Sequence, residues 1–224
     1  MNKNAIRISR GILCLLCLAA LGPARLRGAD SATVTFRRVF QGSSPEFIEI
    51  KVSEAGTATY DIRQISEDSD PQSFEVGPGV RAKIFQLAIE LHNFEGADLD
   101  VHRRIAYLGE KTFRYEKGGE VHETHFNYTI DHTAAQLLMV FDGLSQQQQD
   151  LLDLEQKLKY DRLGVNDALR QFEDDLGRRT LPEPERLLGV LDRVAADARV
   201  VDVARQRARA LAERIRSSQD PNTP

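Results

Sequence analysis

Three histidines and two acids, His122, Glu123, His125, Asp131 and His132, fall within one short stretch of the 224-residue chain. These residue types bind divalent metals or move protons near neutral pH. Spacing decides which of them can act together. On a strand, residues three apart point to opposite faces, so His122 and His125 are separated, and the zinc-binding helical motif needs its histidines four apart on a helix. Glu123 and His125 can share a face, as can Glu120 and His122. If the 120–132 segment is catalytic, Glu123 and His125 are the expected metal ligands, or His125 the base and Glu123 its partner, in a metal-dependent or acid/base hydrolase. The favoured expectation is plainer: polar residues on the outer face of a hairpin, with no cofactor.

Other chemistry finds little support. The only two cysteines, Cys14 and Cys17, sit in an N-terminal apolar run. Gly42-Ser43-Ser44-Pro45 carries hydroxyls without the Gly-x-Ser-x-Gly elbow that exposes a nucleophile. Phosphate-loop, dinucleotide and calcium-loop motifs do not occur. The acidic run Glu173-Asp174-Asp175 has the form of a solvated helix face.

The N-terminus carries Lys3, Arg7 and Arg10, then an uncharged run from Gly11 to Leu21 and the pair Gly22-Pro23. This is the order of a signal peptide, and the run is about half the length a spanning helix requires. Residues 1–29 are therefore expected to be removed, with cleavage after Ala24 or Ala29, and both thiols with them. The alternative is an uncleaved inner-membrane anchor. A thiol-free chain fits the periplasm or exterior of a bacterium. Without the five positive charges of residues 1–29 the remainder holds 25 basic against 34 acidic residues, a net of −9. That balance argues against nucleic acid as a partner.

The elements that must position these residues follow from periodicity. Alternation at Val34–Val39, Ile48–Val52 and Ala58–Ile62 predicts three strands. After Gly77-Pro78-Gly79 the period lengthens, and Val80, Ile84, Leu87, Ala88, Leu91 and Phe94 form the stripe of an amphipathic helix. Alternation returns at Arg103–Leu108, Lys111–Glu116 and Glu120–Thr129, joined by the glycine turns Leu108-Gly109-Glu110 and Lys117-Gly118-Gly119. The expected fold is α+β, an antiparallel sheet of about six strands in the order βββ-α-βββ with one covering helix over residues 30–130.

Residues 131–217 predict an all-helical half of three to five helices, with a tail at 218–224. Leu137, Val140, Leu144, Leu151, Leu154 and Leu158 keep a three-four spacing. A capping-box pattern at Ser145–Gln148 predicts a break near Gly143 and a solvated glutamine run. Pro184 suits the first turn of a further helix. Residues 186–216 hold 8 basic and 4 acidic residues. Arg205, Arg209 and Arg216 flank a stripe of Ala204, Ala208, Leu211 and Ile215, with Arg207 and Arg214 on its other side. These arginines can pair with acidic helices of the same chain, touch anionic lipid, or grip an acidic protein, and Arg205, Arg209 and Arg216 are the candidate partner-binding residues. The expected function is that of an exported non-catalytic binding or interaction protein with a protein partner. Membrane contact is less favoured, and the leucine seam offers a weak case for a homodimer.

Overall fold

The computed structural model describes residues 31–219; the expected signal segment, with Cys14 and Cys17, and residues 220–224 lie outside the described residues. Six strands, β1 (Thr33–Val39), β2 (Phe47–Ser53), β3 (Thr57–Arg63), β4 (Gln72–Glu75), β5 (Glu110–Lys117) and β6 (Glu120–Phe126), are joined by five helices. The helices are α1 (Pro78–Glu90), α2 (His132–Tyr160), α3 (Val165–Arg178), α4 (Leu188–Ala196) and α5 (Asp202–Gln219). Every pairing is antiparallel, in the order β4-β3-β2-β1-β5-β6. The class is α+β, as the periodicity predicts.

The element order is ββββ-α-ββ rather than βββ-α-βββ. Residues 72–75 form the edge strand β4, where three of four residues are exposed and apolar alternation is missing. Conversely, the expected strand at Arg103–Leu108 does not form: its alternation is real, but the segment lies outside the sheet, with residues 102–108 all exposed.

One face of the sheet is apolar and covered. Phe36, Ile48, Ile50, Val52 and Phe113 are each at most 1% exposed, beneath α1 and the first half of α2. Two helices, not one, thus cover the sheet. Phe113 is the hub, with ring centroids 5.4 Å from Phe94, 5.2 Å from Phe126 and 5.9 Å from Phe36. Burial of each such ring contributes about 1.5–3 kcal/mol. The opposite face has no covering helix among the described residues and carries threonines and ion pairs, such as Arg37 to Glu49 at 2.7 Å and Lys51 to Glu49 at 2.9 Å. An antiparallel sheet can be solvated on one side.

Helix α2, 29 residues and about 43 Å long, runs through both cores. Ala134, Leu137, Phe141 and Leu144 face the sheet, while Leu154 joins Leu169, Phe172, Leu191, Ala208 and Ile215 in a second cluster built from α2 to α5. The leucine seam is therefore occupied within the chain.

The predicted break near Gly143 is absent, and the glutamine run is not solvated: Gln147 and Gln148 are buried. The reason is a close approach. A Cβ at Gly143 would stand 2.3 Å from the Thr180 carbonyl and 3.0 Å from Pro182 Cδ, so the glycine admits the 180–182 backbone against α2. That segment delivers Glu183, which joins three elements. Its Oε1 accepts from the Gly77 N–H at 2.6 Å at the start of α1, its Oε2 accepts from Arg186 Nε at 2.6 Å, and its own N–H donates to Gln147 Oε1 at 2.9 Å. A carboxylate at a helix N-terminus is favoured by the helix dipole.

Candidate interaction site

The histidine segment divides as strand geometry requires. Glu123 and His125 share the uncovered face, with Glu123 Oε1 3.0 Å from His125 Nε2. His122 lies on the other face and meets Glu120 at 3.3 Å. His132 sits in the first turn of α2, away from the strand. The register between β5 and β6 adds a residue that spacing alone does not supply: Thr112 lies opposite His125, with Oγ1 3.0 Å from Nδ1. Arg114 then reaches Glu123 at 3.3 Å and Glu116 at 2.8 Å. Burial acts to raise the Glu123 carboxyl, but hydrogen bonds from His125 and Arg114, and their charges, outweigh it and hold it below its usual range. The row Thr112–His125–Glu123 can fix one imidazole tautomer and pass a proton. It lies open to solvent at His125, and the Thr112 side chain is buried. Among the described residues no three His, Cys, Asp or Glu side chains are arranged to hold a metal ion. Ser43 is tied into its own turn, its hydroxyl 2.7 Å from the Phe40 carbonyl and 2.6 Å from that of Pro45.

Arg205, Arg207, Arg209 and Arg216 of α5 are engaged inside the chain. Arg205 pairs with Asp202 and Arg207 with Glu173 of α3. Arg209 donates to the Ala195 carbonyl at 2.9 Å, and Arg216 reaches Asp192 of α4 at 2.7 Å.

A different surface is assembled by the loop between α1 and β5. Beyond the 3₁₀ turn His92–Phe94 it has no regular structure up to Glu110, a length unusual in a compact domain unless the loop serves a purpose. Its fixings are numerous. Asp100 Oδ1 accepts from the Asn127 N–H at 2.8 Å and the Tyr128 N–H at 3.3 Å, and Asp100 Oδ2 from the His102 N–H at 3.0 Å. These backbone hydrogen bonds, led by that of Asn127, lower the Asp100 pKa. Val101 N–H donates to the Tyr128 carbonyl at 3.0 Å. Asn127 clasps the far side, its Oδ1 accepting from Leu108 N–H at 2.7 Å and its Nδ2 donating to the Ala106 carbonyl at 3.0 Å.

The staple is Lys111. Its side chain enters from β5 on the same face as Phe113 and Tyr115, and the residue is 8% exposed. The ammonium donates to the carbonyls of Asn127, Gly109 and Leu108 at 2.7, 3.2 and 3.3 Å, which matches its three donors to three acceptors. Burial lowers its pKa, with Arg38 adding repulsion and Asp142 opposing it. Gly109 is required at the crossing: its φ is +89°, and a Cβ would stand 2.7 Å from Phe40 Cβ. Tyr107 packs edge-on to Phe40 at 5.8 Å and accepts the Glu110 N–H at 3.0 Å.

The loop so held presents apolar side chains to solvent. Ile105, Tyr107 and Leu108 are 41%, 59% and 47% exposed, and the adjoining Tyr128 and Ile130 are 46% and 71% exposed. Arg103 and Arg104 lie beside them, and neither makes an ion pair with a described residue. His102 is held by Asp98 at 2.8 Å, whose hydrogen bond and charge raise its pKa. Reading residues 103–108 as a strand hid this surface. The available signal was Lys111, which alternation places on the core-facing side with Phe113 and Tyr115, where an ammonium demands a set of carbonyls.

Compared with known protein families, the chain matches no family model. Compared with curated proteins, it matches no sequence.

Proposed function

We propose that the chain is a non-catalytic binding protein of the bacterial periplasm or exterior, and that the stapled loop 98–108 with Tyr128 and Ile130 is its contact surface. Export rests on the basic-then-apolar order of residues 1–29. The observation that carries the binding reading is the concentration of five large exposed apolar side chains, three on a loop fixed by Lys111, Asp100 and Asn127 and two on the adjoining residues 128–130. Exposed apolar patches mark interaction sites, and a loop fixed beforehand loses little conformational freedom on binding. The test is association of the purified chain, from residue 30 onward, with the envelope fraction of its own cell. The pair Ile105→Ser and Ile130→Ser should weaken association by at least about tenfold. Association independent of both side chains would remove this surface from the account.

A second reading keeps one specific observation, the Thr112–His125–Glu123 row. There the chain is an acid/base or metal-dependent hydrolase in which His125 transfers a proton or binds a metal and Glu123 orients it. Metal analysis of the purified chain, followed by hydrolysis assays of His125→Ala, decides between the two. Bound metal or activity that disappears with His125 would favour the hydrolase.

A further inference from the structure

Resting on the binding reading above, we infer that the surface meeting the stapled loop is an anionic phospholipid bilayer, with Arg103 and Arg104 at the headgroups and Ile105, Leu108 and Ile130 in the interfacial layer. Three features point this way. The exposed stretch is continuous, from His102 to Leu108, so it can meet a soft planar surface along its length. The aromatic residues of the surface are Tyr107 and Tyr128, each half-exposed, and tyrosine suits the boundary between headgroup and acyl chain because one end of its ring is apolar and the other polar.

Charge supplies the complementarity. Residues 30–224 carry a net of −9, so the chain as a whole is repelled by an anionic bilayer, and attraction has to be local. The acids of the loop keep their charge but are directed at the loop itself, Asp98 at His102 and Asp100 at three backbone N–H groups. Of the carboxylates at its ends, Glu110 faces His125 at 3.8 Å and Asp131, beside Ile130, accepts the Ala134 N–H at 2.7 Å. Arg103 and Arg104 are left as the loop's cations with no acid of their own among the described residues. A long cationic side chain beside apolar residues can lay its stem along them and leave its charge at the phosphates. Among the described residues no helix is long and apolar enough to cross a membrane, and the inferred contact is peripheral.

Co-sedimentation with large vesicles tests the inference. Both hydrophobic clusters are built from residues within 32–215, so the chain from residue 30 onward contains the whole core and can be used without the N-terminal apolar run. Vesicles of phosphatidylcholine and phosphatidylglycerol at about three to one should sediment the chain, and pure phosphatidylcholine should do so far less. Arg103→Gln with Arg104→Gln should weaken binding about 25-fold, roughly fivefold for each charge near an anionic surface. Ile105→Ser with Ile130→Ser should weaken it at least as much, and Arg209→Gln on α5 should leave it unchanged. Failure to sediment with the anionic vesicles, equal sedimentation with both lipids, or full binding by the double arginine variant would overturn the inference. If vesicle binding fails while envelope association still depends on Ile105 and Ile130, the lipid inference falls and the binding reading stands with a protein partner. If envelope association ignores those side chains, both fall.

Discussion

The stapled loop and helix α5 have similar ingredients, arginines next to apolar side chains, but the chain uses them in opposite ways. On α5 the apolar stripe Ala204, Ala208, Leu211 and Ile215 is buried, and Arg207 and Arg216 reach acids on α3 and α4. On the loop the apolar residues are exposed, and Arg103 and Arg104 have no ion pair with a described residue. The difference lies in the neighbours. The helical half places Glu173 and Asp192 beside the guanidiniums, whereas the loop's acids bind backbone N–H groups and His102. A cation becomes available to a partner when the surrounding fold has already committed its acids elsewhere.

The two regions also differ in how they bury polar groups. Around Lys111 every ammonium donor has a carbonyl. In the seam between α2 and α3, Asp150 Oδ2 and Gln147 Nε2 are buried with no hydrogen-bond partner among the described residues. Burial first, then the charges of Asp175 and Asp153, push Asp150 up to about 7 against a hydrogen bond from Gln146. The loop is thus a satisfied network and the seam a strained one.

Substitutions can break this contrast, and the largest effect belongs to Lys111. Lys111→Met leaves three carbonyls without their donor and should cost about 4 kcal/mol in urea unfolding, with the amides of Val101 and Leu108 losing protection from exchange. A cost below about 1 kcal/mol would mean that the ammonium is no staple. The seam should respond in the other direction. Asp150 holds its proton to about 7 when folded but releases it near 3.9 when unfolded. Its contribution to stability is therefore full below the unfolded value and is lost as pH rises through about 7. Asp150→Asn should remove that slope and gain about 3 kcal/mol at pH near 8, seen as unfolding midpoints that no longer fall between acid and neutral conditions. Gly143→Ala, which drives a methyl into the Thr180 carbonyl, should cost about 2 kcal/mol and loosen α2 against the 180–182 segment. The smallest effects return to the arginines. Arg216→Gln should cost less than about 1 kcal/mol, and Arg103→Gln should fall within about 0.5 kcal/mol of zero, since the first breaks an exposed ion pair and the second breaks none.

How much of this was legible depended on whether a residue's position followed from its own segment. Strands β1 to β3, β5 and β6 and the stripe of α1 could be read because the period of each is local. The pairing of Glu123 with His125 was legible for the same reason. Thr112 was not, because it joins them through cross-strand register. β4 escaped because an edge strand with one partner needs no apolar face. Residues 103–108 misled because alternation reports which side chains could form a strand and not whether an edge is offered to them. Gly143 and the glutamine run misled because their environment is made by residues 180–183, far along the chain. In each case the missing information was a contact between distant segments.

The central claim is that the stapled loop, and not the arginine flank of α5, is where the chain meets its partner. Hydrogen exchange measured with and without the envelope fraction tests it most directly. The account predicts added protection confined to residues 101–110 and 128–130, with α5 unchanged over residues 202–216. Protection appearing on α5 while the loop exchanges as in the free chain would contradict it.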